Sequence, residues 1–255
     1  VVVQNSANHA FVPHGSHGIT FRDTIAKNTA SEPYWWNPPP FQSGDHSDAT
    51  NDVLYDHALA DGVTNAPGDN RGFRLSAFQL GEGEGNAVIN SVARNVTPSN
   101  PTNCSGFHWP EAQGATWEFS NNASYGSACN GIFVWQNNQL DHIIDGFRGD
   151  GIEHGAYKNR YDYRNVDVDF VTVHAVGWTI TGGSLGDVLI RRQSLTGDPV
   201  RFTNVTIDSF TVDNAENGGS TPATFILTNT NLACADVVYR SIVPGTTVTI
   251  NGKSC

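Results

Sequence analysis

DVLYDHALADG, Asp52 to Gly62, has an outline that returns along the chain. GITFRDTIAKN (Gly18 to Asn28) stands thirty-four residues upstream of it and NAVINSVARNV (Asn86 to Val96) thirty-four downstream, while DHIIDGFRGDG (Asp141 to Gly151) and DVLIRRQSLTG (Asp187 to Gly197) repeat the form. Each copy opens with a short β-prone run, passes through a polar pair and a second run, and mostly ends in Gly or Asn. Such copies are too short for an amphipathic helix and have the wrong period. A unit that can hide its apolar side only against the next copy is a solenoid repeat. The expected fold is all-β, a right-handed parallel β-helix with long loop excursions, forming one domain over residues 1–255.

Stacking turns the copies into columns. One reads Arg22, Asp56, Asn90, Asp145, Arg191 and the next Asp23, His57, Ser91, Gly146, Arg192. Both are polar in nearly every copy and are expected outside or at a bend, with Ile19, Phe21, Val53, Tyr55, Ala87 and Ile89 pointing inward. Coils about 4.8 Å apart would bring Arg22 and Asp56 close enough to pair.

A chain of 255 residues with 26 Gly and 12 Pro can bury one large elongated core. Its net charge of −11 argues against nucleic acid and anionic membrane as partners, and no run is long and apolar enough to span a bilayer. The start, VVVQNSANHAF, lacks the marks of a signal peptide and reads like the middle of a β-helix, so an upstream part of a longer precursor is expected. The cysteines fit no metal spacing. Of the three pairings they allow, the local one, Cys104 with Cys129 and Cys234 with Cys255, clips one excursion or coil each, and two disulfides imply an extracellular, secreted protein. Sequons stand at Asn95, Asn103, Asn122 and Asn204.

Two segments interrupt the repeat. Residues 31–51, SEPYWWNPPPFQSGDHSDATN, and 97–114, which hold Cys104 and GFHWPE, are long excursions, and such loops usually carry function. Past Asp187 the short alternating runs read as narrower coils without excursions.

In order along the chain stand NHAF (Asn8 to Phe11), YDHAL (Tyr55 to Leu59), SAFQL (Ser76 to Leu80) with NAVINSVA, GFHW (Gly106 to Trp109), FSNNASYGSACNGIF and EHGAY (Glu153 to Tyr157). This series, over roughly residues 5 to 160, resembles the β-helix portion of the CEMIP and transmembrane hyaluronidase family. The resemblance implies a right-handed parallel β-helix in an extracellular protein that handles hyaluronan or a similar glycan, with calcium as an associated ion. No established catalytic residue of that family maps onto this chain, and Ser124 and Tyr125 stand where the family tends to have a His.

Cleaving a glycosidic bond takes two carboxyl groups or, in a lyase, a base beside a sugar acid neutralised by a cation. The candidates are Asp56 and His57 beside Arg22, Glu82 and Glu84 in the Gly-rich GEGEG, and His108 in the second excursion, with Glu111 nearby. Tyr34, Trp35, Trp36 and Trp109 offer flat faces for sugar rings or, equally, plugs for the flank of the helix. Tyr157 and Lys158, with His154 and Arg160, form the most basic patch and suit a carboxylated sugar or the nearby Asp162 and Asp167. Asp45, Asp48 and Asp52 gather oxygens of the kind calcium takes, without EF-hand spacing. His9, His14 and His17 make a polar turn in which a transition metal lacks a clear fourth ligand. The expected function is recognition and cleavage of an extracellular polysaccharide. The rivals are a non-catalytic glycan-binding module and a subunit that stacks end to end into a filament or scaffold.

Overall fold

The computed structural model describes residues 1–35, 50–65, 75–81, 83–99, 101, 104–108, 117–134, 142–154, 161–174, 177–191 and 197–255. They are strands and turns with two 3-10 turns and no α-helix, and the strands pair in parallel except at the C-terminal hairpin. The fold is an all-β parallel β-helix. Its residues fall into two compact units, Val1–Val134 with Arg148–Asp150, and Trp135–Phe147 with Gly151–Cys255.

In the first unit the coils build three sheets. Sheet A stacks Thr20–Arg22, Leu54–Asp56, Asn86–Ile89 and Trp117–Ser120. Sheet B stacks Val2–Gln4, Ile25–Thr29, Leu59–Val63, Val92–Val96, Ala123–Tyr125 and Arg148–Gly149. Sheet C stacks Tyr34–Trp35, Ser76–Gln79, Ser105–His108 and Asn130–Val134, with Phe11 bridged to Tyr34.

The polar pair of each repeat is the corner between sheets A and B. Asp23, His57, Asn90 and Asn121 all hold φ between 52° and 54°, the left-handed region that Asn, Asp and His enter more readily than other residues with a Cβ. The end of the repeat is a second such corner, at Asn28, Gly62, Asn95 and Gly126. Buried amide side chains mend the backbone at the bends: Asn122 accepts from the Ser91 N–H and donates to the Val88 carbonyl, and Asn86 does the same for Val53 and Thr50. Asn122 is therefore unsuited to carry a glycan.

Register corrects part of the alignment read from sequence. Arg22 faces Asp56 across a separation of 34 residues, but the next coil is one residue shorter, and Asp56 pairs with Ile89. Asn90 accordingly belongs to the corner column of His57, and Ser91 lies one place further on. Because side chains alternate across a strand, the same one-residue slip turns Ala87 and Ile89 outward and puts Val88 inside, stacked in line with Phe21, Tyr55 and Phe119. Val53 and Tyr55 are buried as expected.

Sheet C has no exposed residue in its last three strands. Its centre is a ladder of rings: Phe11 on Tyr34 at 5.0 Å, Tyr34 on Phe78 at 4.4 Å and Phe78 on Phe107 at 4.7 Å, all nearly parallel. The Cys104–Cys129 disulfide joins the residues just before the paired Ser105 and Asn130, with Cα atoms 5.2 Å apart.

The second unit has narrower coils. Asp162 and Thr179 sit on successive rungs only 17 residues apart, and later rungs are 22 to 25 residues apart. Tyr161–Val173 and Thr179–Ile190 run through a corner, where Gly183, at φ 102°, lies so close to the Val166 carbonyl that a Cβ would overlap it. The narrowing overturns the fifth copy of the repeat. Asp145 lines up with Arg164 and Thr181, whereas Asp187 pairs with Phe170 and Ser209 on another face, so Arg191 is not in the column of Asp145; Arg192 lies outside the described residues. At the C-terminus Lys253–Ser254 turns back antiparallel on Thr247–Ile250, and Cys255 is tied to Cys234. The short hairpin covers the edge of the final rung.

Phe78→Ala removes a ring held between two others in a dry core and is expected to cost about 3–5 kcal/mol of stability. Urea unfolding of the two proteins measures it.

Candidate functional site

Among the described residues, the ridge between sheets A and B carries the constellation of sequence-identified residues that the fold assembles. Asp56 ends its strand with its carboxylate almost covered, and three donors from three coils meet there. Arg22 Nε donates to Oδ2 at 2.8 Å, Asn90 Nδ2 to Oδ1 at 3.1 Å, and His57 Nδ1 lies 2.6 Å from Oδ1. Asn90, then Arg22 and His57, hold the Asp56 carboxyl below the usual carboxylate range against the opposing cost of desolvation. An ionised carboxylate accepts the Nδ1 proton and so fixes the imidazole tautomer, leaving Nε2 as the acceptor. The His57 side chain is 61% exposed. This is a base with its orienting group, presented to solvent.

The column of His57 otherwise holds Asp23, Asn90 and Asn121, and at other left-handed corners an Asn reaches back to the preceding coil: Asn28 to Asn5, Asn95 to Asp61, and in the second unit Asn165 to Asp145 and Asn229 to Asn204. His57 departs from that ladder. Local rules of a fold are most often broken where function needs another side chain.

The other candidates do not join it. Glu84 is exposed at a different corner, its N–H bonded to the Asn51 side chain and its carbonyl to the Asp52 N–H. It lies before the Gly85 bend, outside the strand Asn86–Ile89 whose last residue is the rung partner of Asp56. His108 is 0% exposed, packed edge-on to Phe133 at 5.5 Å, and belongs to the core. Tyr34 is also 0% exposed; its hydroxyl is bound to Thr24 and the Leu59 carbonyl, so it plugs the helix and presents no face to a ligand. Trp35 is half-buried and lies against the imidazoles of His9 at 4.7 Å and His14 at 5.8 Å. His9 is bound through Nδ1 to the Glu32 carbonyl, and His17 accepts from the Asn51 N–H.

Glu82, Trp36, Trp109, Tyr157, Lys158, Asp45 and Asp48 lie outside the described residues. Asp52, the remaining member of the calcium cluster, is an exposed left-handed corner residue. Among the described residues no three His, Cys, Asp or Glu side chains gather as a metal site would need.

Sequence reading set Asn90 on the rung over Asp56, and the hydrogen bond joins them, but from the corner position and not from the strand. With a native value below the unfolded one, Asp56 contributes stability above the unfolded value, and that contribution is lost as pH falls through the depressed native value. Asp56→Asn is expected to lower stability at neutral pH by about 1 kcal/mol, its partners being open to solvent. The difference from wild type should vanish in acid below the ordinary aspartate range. Urea unfolding across pH measures it; a difference independent of pH contradicts it.

Compared with family models, with curated proteins and with solved structures, the chain gives no match.

Proposed function

We propose that this is an extracellular carbohydrate-active protein that binds and cleaves a polysaccharide along the sheet A and B ridge, with His57 as its base. The carrying observation is the Asp56–His57 pair: an imidazole bonded through Nδ1 to an ionised carboxylate, open at Nε2, in a left-handed corner where Asn is the rule. The two disulfides fit an oxidising compartment, and no described helix is long and apolar enough to cross a membrane. The likeness of the motif order to the CEMIP and transmembrane hyaluronidase family supports a glycan as ligand.

Asp56 and Glu84 stand at different corners, which favours the route that needs one base. His57 Nε2 takes the proton beside the carboxylate of an acidic sugar, the exposed end of Arg22 faces that carboxylate, and the glycosidic oxygen leaves with a proton from water. A binding-only role is favoured by the three donors that already occupy Asp56. That role shows as retention of the polymer with no new chain ends.

His57→Asn puts the common corner residue in its place and should fold normally. It is expected to lower turnover about a hundredfold or more. Reducing ends and the absorbance of an unsaturated sugar acid, followed over a panel of acidic and neutral glycans, measure it. Turnover unchanged in the variant removes His57 from the chemistry.

A further inference from the structure

The outer face of sheet B carries more positive charge than this acidic chain would suggest. Its inward positions are Ala26, Ala60, Ala93 and Ser124, all essentially buried, so the residues beside them point out. One outward row runs Lys27, Asp61, Arg94, Tyr125 on successive rungs, and Arg148 stands in the neighbouring row beside Ala123. Lys27, Arg94 and Arg148 are exposed, and none has a carboxylate within salt-bridge distance among the described residues.

The acids that should neutralise them are occupied by the protein itself. Asp61 accepts from Asn95 Nδ2 at 2.7 Å. Asp150 accepts from the Ser124 hydroxyl and from the backbone N–H groups of Gly126 and Ser127. Such bonds draw each carboxylate toward its own corner and leave the cations to solvent.

Tyr125 adds a flat surface to the row. It is 49% exposed, and its ring lies on Gly149, where a Cβ would come within 2.8 Å of Cε1. One edge of the ring is thus held close to bare backbone while half of the residue stays exposed. A tyrosine held this way gives a sugar ring a rigid apolar surface. The adjoining outward row, Ile25, Leu59, Val92 and Ala123, is half-buried and apolar.

From these observations we infer that the outer face of sheet B is a docking strip for a linear acidic polysaccharide. The polymer lies along the coil axis, its acidic groups on Lys27 and Arg94 and a sugar ring on Tyr125. Lys27 and Arg94 are two rungs apart, roughly 10 Å. That suits a polymer with one acidic group per disaccharide better than a nucleic acid strand, whose phosphates recur about every 3.4 Å along the axis. His57 lies on the rung between those of Lys27 and Arg94, four residues before Asp61, at the corner that opens this strand. The inference rests on the glycan reading above for the kind of ligand, and not on turnover.

The test is equilibrium binding of the full chain to a uronic-acid polysaccharide with one carboxylate per disaccharide. A neutral polysaccharide of equal length, a duplex oligonucleotide and phosphatidylserine vesicles are the other arms. The acidic polysaccharide should bind best. Arg94→Glu and Lys27→Glu should each weaken it about tenfold or more, and Tyr125→Ala should weaken it at any salt concentration, with thermal midpoints unchanged for the two charge variants. Binding indifferent to Arg94→Glu and Lys27→Glu, no binding by the wild type, or preference for the neutral polymer, the oligonucleotide or the vesicles would overturn the strip. Loss of binding in Arg94→Glu with no turnover in wild type sinks the cleavage reading alone; turnover lost in His57→Asn with binding untouched by the charge variants sinks the strip alone.

Discussion

A parallel ladder has no tight turn to hold its register, so each coil must bring its strand back over the last one by bending at fixed places. Here those places are residues in the left-handed region, occupied among the described residues by Asn, Asp, Gly and, once, His. The bend exposes backbone groups that the ladder cannot satisfy, and buried amide side chains such as Asn86 and Asn122 satisfy them. Corners, rungs and inner columns are therefore one arrangement. A coil that kept its apolar residues but lost its corner would turn them to the wrong face.

The candidate site follows from that geometry. Arg22, Asp56 and Asn90 belong to three coils, and only vertical stacking brings them to one carboxylate. Their donors keep Asp56 ionised, and the charge in turn orients His57. The same stacking gives sheet B an outer row in which one side chain per coil faces outward at the rung spacing. A repeated scaffold of this kind suits an extended polymer better than a compact small molecule.

Much of this was legible in the amino-acid order because the first two full coils differ by a constant number of residues. Arg22 opposite Asp56 and the inward Val53 and Tyr55 follow from a spacing of thirty-four, and the two disulfides from the pairing in which each clips one excursion or coil. A single missing residue then hid the place of Asn90 and reversed Ala87, Val88 and Ile89, since a period of two gives no warning of a slip by one. The DVLIRRQSLTG copy misled for another reason: its coil is far narrower, so a similar run falls on a different face. Tyr34 looked like a surface aromatic because prolines and tryptophans follow it. Its burial is fixed by Phe11, Phe78 and the Thr24 and Leu59 carbonyls, which come from other coils and leave no local mark. The strip on sheet B was invisible for the same reason, its members being one residue from each of several coils.

The most direct measurement is the carbon-13 titration of the Asp56 carboxyl in the wild-type chain and in Asn90→Ala. Stacked coils predict a midpoint below the ordinary aspartate value of about 3.9, rising when the amide thirty-four residues away is removed. An ordinary midpoint in wild type, or one that does not respond to Asn90, would mean that the three coils do not meet at this carboxylate.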